Sequence, residues 1–242
     1  MSIIVNMRFC KPNLPVKSVK KAFVSQIISD EIRNNLNSLG VETIDAPECK
    51  SLNSELRFHP DIILNNPTEG IWFSAGETNV NNLLTKGQSE LNDKYPMDCI
   101  YNCFIIDSVL YGGKNIAPEI SEYAERQVKI AQGYTKCSTV ILNSESFITS
   151  DVSVYKALTN EGKNVLKVTN EGILLNGFSC GFIGGCTGVL GDKTLSITGN
   201  ARFLTDYDSI VGFCANIGYK VISLSNEMPY DYGGILPICE ED

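Results

Sequence analysis

The chain has 242 residues, with 28 acidic and 20 basic side chains and a formal net charge of −8. That length suits a single domain, residues 1–242, able to bury roughly 70–75% of the surface its unfolded chain exposes without a disulfide or metal staple. No run approaches about eighteen apolar residues, which excludes a membrane-spanning helix, and Lys and Arg form no stripe, which argues against a nucleic-acid partner.

In chain order, SIIVNM (2–7) reads as a strand and 19–40 as an amphipathic helix, whose end LNSLGVETIDAP (36–47) runs helix, Gly, strand. DIILNN (61–66) and GIWFSAG (70–76) make a strand pair, followed by a helical candidate at 79–95 and the strand DCIYN (98–102). CFIID (103–107) and VLYGG (109–113) make another pair, followed by a helix at 119–133 and YTKCS (134–138). The clearest unit starts with STVILN (138–143), turns at Ser144 and Glu145, and returns as SFITS (146–150). Asp151 then caps a helix over 152–162, Gly162 fits a left-handed C-cap position, and NVLKVT (164–169) alternates as a strand. TGVL (187–190), a Gly191-Asp192 turn, TLSITG (194–199), a helix from Asp206 to Gly218 and YKVISLS (219–225) repeat that order. In this last helix Ile210, Val211, Phe213, Cys214 and Ile217 follow a 3.6-residue period and form the expected buried stripe. GILPI (234–238) is placed to pair with the first strand.

The repeating order of two strands, a helix and a strand gives five units of about fifty residues if the two termini share one unit. A single unit cannot bury its apolar face, so the copies stack round a common core, and a closed ring protects the sheet edges. An open or two-layer α/β domain is the alternative, because any such fold alternates strands and helices. Nine cysteines, an odd number with no export signal before them, are expected as reduced thiols in a cytoplasmic protein. A single histidine excludes a His-rich metal centre, and Cys99 and Cys103 lack the partners for a zinc site.

The five-unit order, with HPD (59–61) entering a strand, resembles the pentein, or guanidino-group-modifying, superfamily. This is an α/β propeller with pseudo-fivefold ββαβ repeats. YTKCSTVILN, ITSDVSVYKAL, GFIGGCTGV and DYGGILP look most like a clostridial branch of it. The resemblance implies a cysteine-dependent hydrolase or transferase acting on a guanidine or related C–N substrate, with no cofactor and no metal. In that superfamily a His-x-Asp element enters a strand, a cysteine near the C-terminus attacks the guanidinium carbon, and acidic side chains hold its nitrogens. His59 and Asp61 match the first element. Cys239 has the terminal position, but in DYGGILPIC rather than after a His or Arg.

Each candidate has a plainer reading beside the functional one. His59 is the one side chain whose ordinary pKa lies near neutrality, and Asp61 shares its strand face if the strand begins there; a His before Pro is also a common turn residue. Cys186 sits in GFIGGCTG, where glycines expose backbone N–H groups to a ligand or simply permit a turn. Cys239 is either a nucleophile or part of a mobile acidic tail. Cys137 follows Lys136, but strand alternation puts the two on opposite faces. Asp151 and Asp206 read as helix caps. Asp231, flanked by Tyr230, Tyr232 and Gly233, reads equally as a pocket carboxylate holding a cationic group with Asp61, or as a turn former. The expected partner is a small polar or cationic metabolite, with a homodimer left open. The same pocket also suits a metabolite-binding protein without catalysis, and a scaffold domain would have no polar pocket at all.

Overall fold

Three helices end where the sequence places a glycine, in the left-handed conformation a Cβ disfavours: Gly40 at φ +81°, Gly162 at +75° and Gly218 at +79°. The computed structural model describes residues 6–76 and 82–242. Its strands and helices are, in order, β1 (Met7–Phe9), β2 (Val19–Val24), α1 (Asp30–Ser38), β3 (Glu42–Asp45), the single turn α2 (Pro60–Ile63), β4 (Leu64–Thr68), β5 (Ile71–Ser74) and β6 (Leu84–Lys86). There follow β7 (Phe104–Ile106), β8 (Val109–Gly112), α3 (Pro118–Ser121), β9 (Arg126–Lys129), β10 (Thr139–Ile141), β11 (Ser146–Thr149), α4 (Val152–Asn160) and β12 (Asn164–Lys167). The last are β13 (Thr187–Val189), β14 (Thr194–Ile197), α5 (Tyr207–Asn216), β15 (Lys220–Ser223) and β16 (Leu236–Glu241).

Four sheets share one plan, β4-β5-β6, β7-β8-β9, β10-β11-β12 and β13-β14-β15. In each, the first pair is antiparallel and the second parallel. The fifth sheet, β1-β16-β2-β3, repeats the plan with strands from both chain ends: β16 runs antiparallel to β2, and β2 parallel to β3. The termini therefore close one unit together, and the five-unit α/β ring with ββαβ repeats is the architecture formed. Its inner strands are β4, β7, β10, β13 and β16. Among them β4 packs beside β7, β10 beside β13, and β13 beside β16.

Middle strands such as β11 and β14 are buried along their whole length, whereas the outer β9, β12 and β15 are exposed at both ends. Asp151 caps α4 by accepting from the Ser153 and Val154 amides. Asp206 makes no such bond to α5; its Oδ2 accepts from the Thr169 amide and hydroxyl, joining two loops. In α5, Ile210 and Cys214 are buried and Phe213 and Ile217 pack against the same cluster, while Val211 lies off the stripe.

Tertiary pairing overrides local pattern in four places. Residues 19–24 form β2 because β16 and β3 flank them on either side. Residues 126–129 leave the expected helix to pair with β8, so α3 is a single turn. Of the helix expected at 79–95, residues 79–81 lie outside the described set, and the rest is β6 and turns. There the Glu119 carboxylate accepts from the amides of Gln88 and Ser89, the Ser89 hydroxyl and the Tyr101 hydroxyl, taking over donors a helix would satisfy internally. Residues 60–63 form α2, with Pro60 at its first position and His59 as the N-cap residue, so His59 and Asp61 do not share a strand face. Residues 98–102 and 134–138 are turns feeding β7 and β10. The strand expected at 2–7 falls largely outside the described residues; β1 begins at Met7.

Candidate functional site

The segments that feed the inner strands meet round the ring axis and are tied unit to unit by hydrogen bonds. Asn102 Nδ2 donates to the Asp61 carbonyl at 2.8 Å, and Asn102 Oδ1 accepts from the amides of Lys136 at 2.7 Å and Cys137 at 3.1 Å. The Gly185 amide donates to the Cys137 carbonyl at 3.1 Å, and the Gly185 carbonyl accepts from Tyr232 at 3.1 Å and Gly234 at 2.7 Å. The Asp61 amide then donates to the Gly233 carbonyl at 3.1 Å, which closes the circle. Such a closed set fixes the side chains it carries, because each backbone group is satisfied by the neighbouring unit.

Glycine is required where these segments touch. A Cβ on Gly185 would lie 1.9 Å from Asp231 Oδ1, and one on Gly184 would lie 2.5 Å from the carbonyl oxygens of Lys136 and Cys137. The Gly-rich GFIGGCTG segment thus lets the ring close. In this arrangement Asp231 Oδ2 accepts from the Phe182 amide at 2.8 Å and Oδ1 from the Gly233 amide at 3.0 Å.

A channel of about 50 Å³ opens beside this circle, lined by Asp61, Lys136, Thr139, Gly184, Thr187 and Gly234 among others. Asp61 is 2% exposed, and neither of its carboxylate oxygens has a hydrogen-bond partner. Burial, then the Asp231 charge, pushes its carboxyl up to about 7, while the Cys137 thiol and Lys136 oppose the rise. Lys136 also faces the channel and, among the described residues, its ammonium has neither an ion pair nor a hydrogen bond. Burial lowers it to about 8, against the pull of Asp61 and Cys137.

Cys137 and His59 stand behind the channel wall. The buried Cys137 sulfur accepts from Asn102 Nδ2 at 2.9 Å. Burial, followed by Asp61 and Asp231, holds its proton well above the ordinary thiol range. His59 is buried, neither ring nitrogen is hydrogen-bonded, and Nδ1 lies 3.7 Å from Asp231 Oδ1. Burial lowers its pKa more than Asp231 and Glu55 raise it, so the imidazole is neutral at pH 7.

His59, Asp61 and Asp231 are brought together, but only Asp61 lines the channel. Cys186 does not reach it: the thiol donates to the Ile183 carbonyl at 3.4 Å inside an apolar cluster with Val140, Leu195 and Ile210. Cys239 is not in a mobile tail but on β16, opposite Phe9 and Lys21, where β16 joins its sheet partners rather than the channel. Asn102 is the member that sequence reasoning passes over, while Lys136 and Cys137 are set aside as lying on opposite faces of a strand where the chain instead makes a turn. Aligning the units would have put the three segments NCF, KCST and GCTG at equivalent positions, since each leads into an inner strand. All nine cysteines are free, and no group of three His, Cys, Asp or Glu side chains among the described residues is placed to hold a metal.

A family model described as "Family of unknown function (DUF6873)" matches residues 23–236. No curated protein matches the chain by sequence. Among solved structures, agmatine deiminase from C. jejuni superposes with a TM-score of 0.52 at 9% identity, over 93% of this chain and 92% of that one. An amidinotransferase of the saxitoxin pathway of Microseira wollei gives 0.50 at 9% identity, over 90% and 91%. At such identities the likeness is one of fold.

Proposed function

The chain belongs to the family of unknown function DUF6873 and has the pentein, or guanidino-group-modifying, fold, and from its central site we propose a cysteine-dependent hydrolase or transferase acting on a cationic C–N substrate such as a guanidinium. The observation that carries the proposal is Asp61: a carboxylate 2% exposed, on the wall of a channel, with both oxygens unpartnered. A buried carboxylate without partners is expensive, so a cation that completes it gains both charge and hydrogen bonds.

Cys137 takes the role of thiol, in place of Cys186 and Cys239. At rest burial and the Asp61 and Asp231 charges keep it protonated. A cation on Asp61 offsets those charges and eases ionisation just when a carbon is at hand. The sulfur then bonds to the guanidinium carbon, and the thiol proton passes through neutral His59 to the departing amine. Water or a second amine displaces the sulfur and regenerates the thiol. Asp231, with both oxygens engaged by backbone amides, lies against His59 at 3.7 Å and is not free to hold substrate.

Binding of a small polar or cationic metabolite without chemistry is the second reading. It is favoured by Cys137 lying behind the channel wall rather than on it. A cytoplasmic setting suits nine free thiols, and kinship with a clostridial branch belongs to the same proposal. The test is alkylation by 2-chloroacetamidine, a guanidinium-like cation, against neutral chloroacetamide, read by peptide mass spectrometry. Preferential labelling of Cys137 by the cation, lost in Asp61→Asn, supports thiol chemistry. Binding of guanidines with no cation-selective labelling of Cys137 supports the binder.

A further inference from the structure

We propose that the channel takes a short zwitterion, its cationic group on Asp61 and its carboxylate on Lys136, so that Lys136 selects against amines and guanidines that lack an acid. The inference rests on the reading of Asp61 just given and names the other end of the ligand. Both side chains line one channel, and they do not form an ion pair with each other. Neither has a hydrogen-bond or ion-pair partner among the described residues; Asp61 is buried and Lys136 half-buried.

The rest of the wall does not supply the missing countercharge. Its other side chains with polar atoms are Asn13, Asn65, Asn66, Trp72, Thr139, Thr187 and Cys103, all neutral, burial keeping the Cys103 thiol protonated. Asn65 Nδ2 is committed to the carbonyls of Tyr101 and Cys103, and Asn66 Nδ2 to those of Thr68 and Ile71. The titratable groups acting on Lys136 are Asp61 and Cys137, and the carboxylate acting on Asp61 is Asp231, whose oxygens accept from backbone amides. One negative and one positive site therefore face the ligand.

A single compound that carries both charges satisfies both sites at once. A compound with two cationic ends places one of them against Lys136, which like-charge repulsion disfavours. The volume limits length as well. At ~10–15 Å³ for each water, a channel of about 50 Å³ holds only a few waters. That limits the enclosed part of a ligand to a few heavy atoms and so favours the shortest spacer between its two charged groups. Burial lowers Lys136 to about 8, so an anion beside it would favour the charged ammonium.

The experiment is calorimetric titration of the full chain with guanidinoacetate, its methyl ester, ethylguanidine and agmatine, repeated on Lys136→Met, Lys136→Arg and Asp61→Asn. The expected result is guanidinoacetate bound at least tenfold more tightly than its ester, ethylguanidine or agmatine. Lys136→Met should abolish that preference, and Lys136→Arg should keep it. Equal affinity for the acid and its ester in the unaltered protein overturns the zwitterion and leaves the Asp61 reading standing; that comparison needs no variant to fold. A preference for the acid that survives Lys136→Met overturns the role of Lys136. If no guanidine binds at all, the Asp61 reading fails and this inference falls with it.

Discussion

Asp61→Asn should make the protein more stable at pH 8 and leave its stability nearly unchanged at pH 4. In the folded chain the Asp61 carboxyl is pushed from 3.8 up to about 7 by burial and by Asp231. Below about pH 4 it is protonated whether folded or unfolded, so it contributes no pH dependence. Between about 4 and 7 the unfolded chain ionises while the folded chain keeps its proton, and stability falls as pH rises. Above about 7 the full penalty is present. Three pKa units correspond to about 4 kcal/mol, at about 1.4 kcal/mol each. An asparagine has the same shape without the charge, but its amide still needs partners in the channel, so about 2–3 kcal/mol should be recovered. For a chain of this size that is a rise in Tm of roughly 5–10 °C. Urea unfolding of both proteins from pH 4 to 8, in the absence of ligand, measures the difference directly. A gain independent of pH, or a loss that deepens toward pH 8, would refute a carboxylate held in an unfavourable site for the sake of a ligand. A site residue that costs stability is the usual sign of function bought against folding.

The same groups set the pH profile of ligand binding. Affinity for guanidinoacetate should rise as Asp61 ionises through about 7 and fall as Lys136 loses its proton above about 8, and the alkaline limb should vanish in Lys136→Met. Gly185→Ala places a Cβ 1.9 Å from Asp231 Oδ1; calorimetric titration should show guanidine binding lost, and unfolding should show a cost of roughly 2–4 kcal/mol. Glu119→Gln should destabilise the protein by about 1–3 kcal/mol at neutral pH. Burial alone would raise the Glu119 carboxyl, but the Tyr101 hydroxyl and Ser89 amide outweigh it and hold it at about 2. A carboxyl depressed in this way stabilises the fold above its unfolded value, so the deficit of the variant, read by urea unfolding, should fade between about pH 4.5 and 2.

The sequence by itself determined the unit and its number. Gly40, Gly162 and Gly218 end helices because only a residue without Cβ takes a φ near +80° at little cost, and that demand is local. The cap at Asp151 and the buried Ile210 and Cys214 are equally local, set by a hydroxyl, a carboxylate or a 3.6-residue period. Which segments become strands was legible only where alternation was strong. Residues 19–24 and 126–129 are strands because partners far along the chain pair with them, and a ladder is a property of two segments. The site follows the same division. His59 and Asp61 could be picked out by residue type, and Asp231 by its neighbours. Only the closed ring decided that Cys186 faces an apolar cluster, that Cys239 lies in a sheet, and that Lys136 and Cys103, neither of them a sequence candidate for the pocket, share the channel with Asp61. Those outcomes depend on how five inner strands converge on one axis, and no stretch of sequence carries that convergence alone.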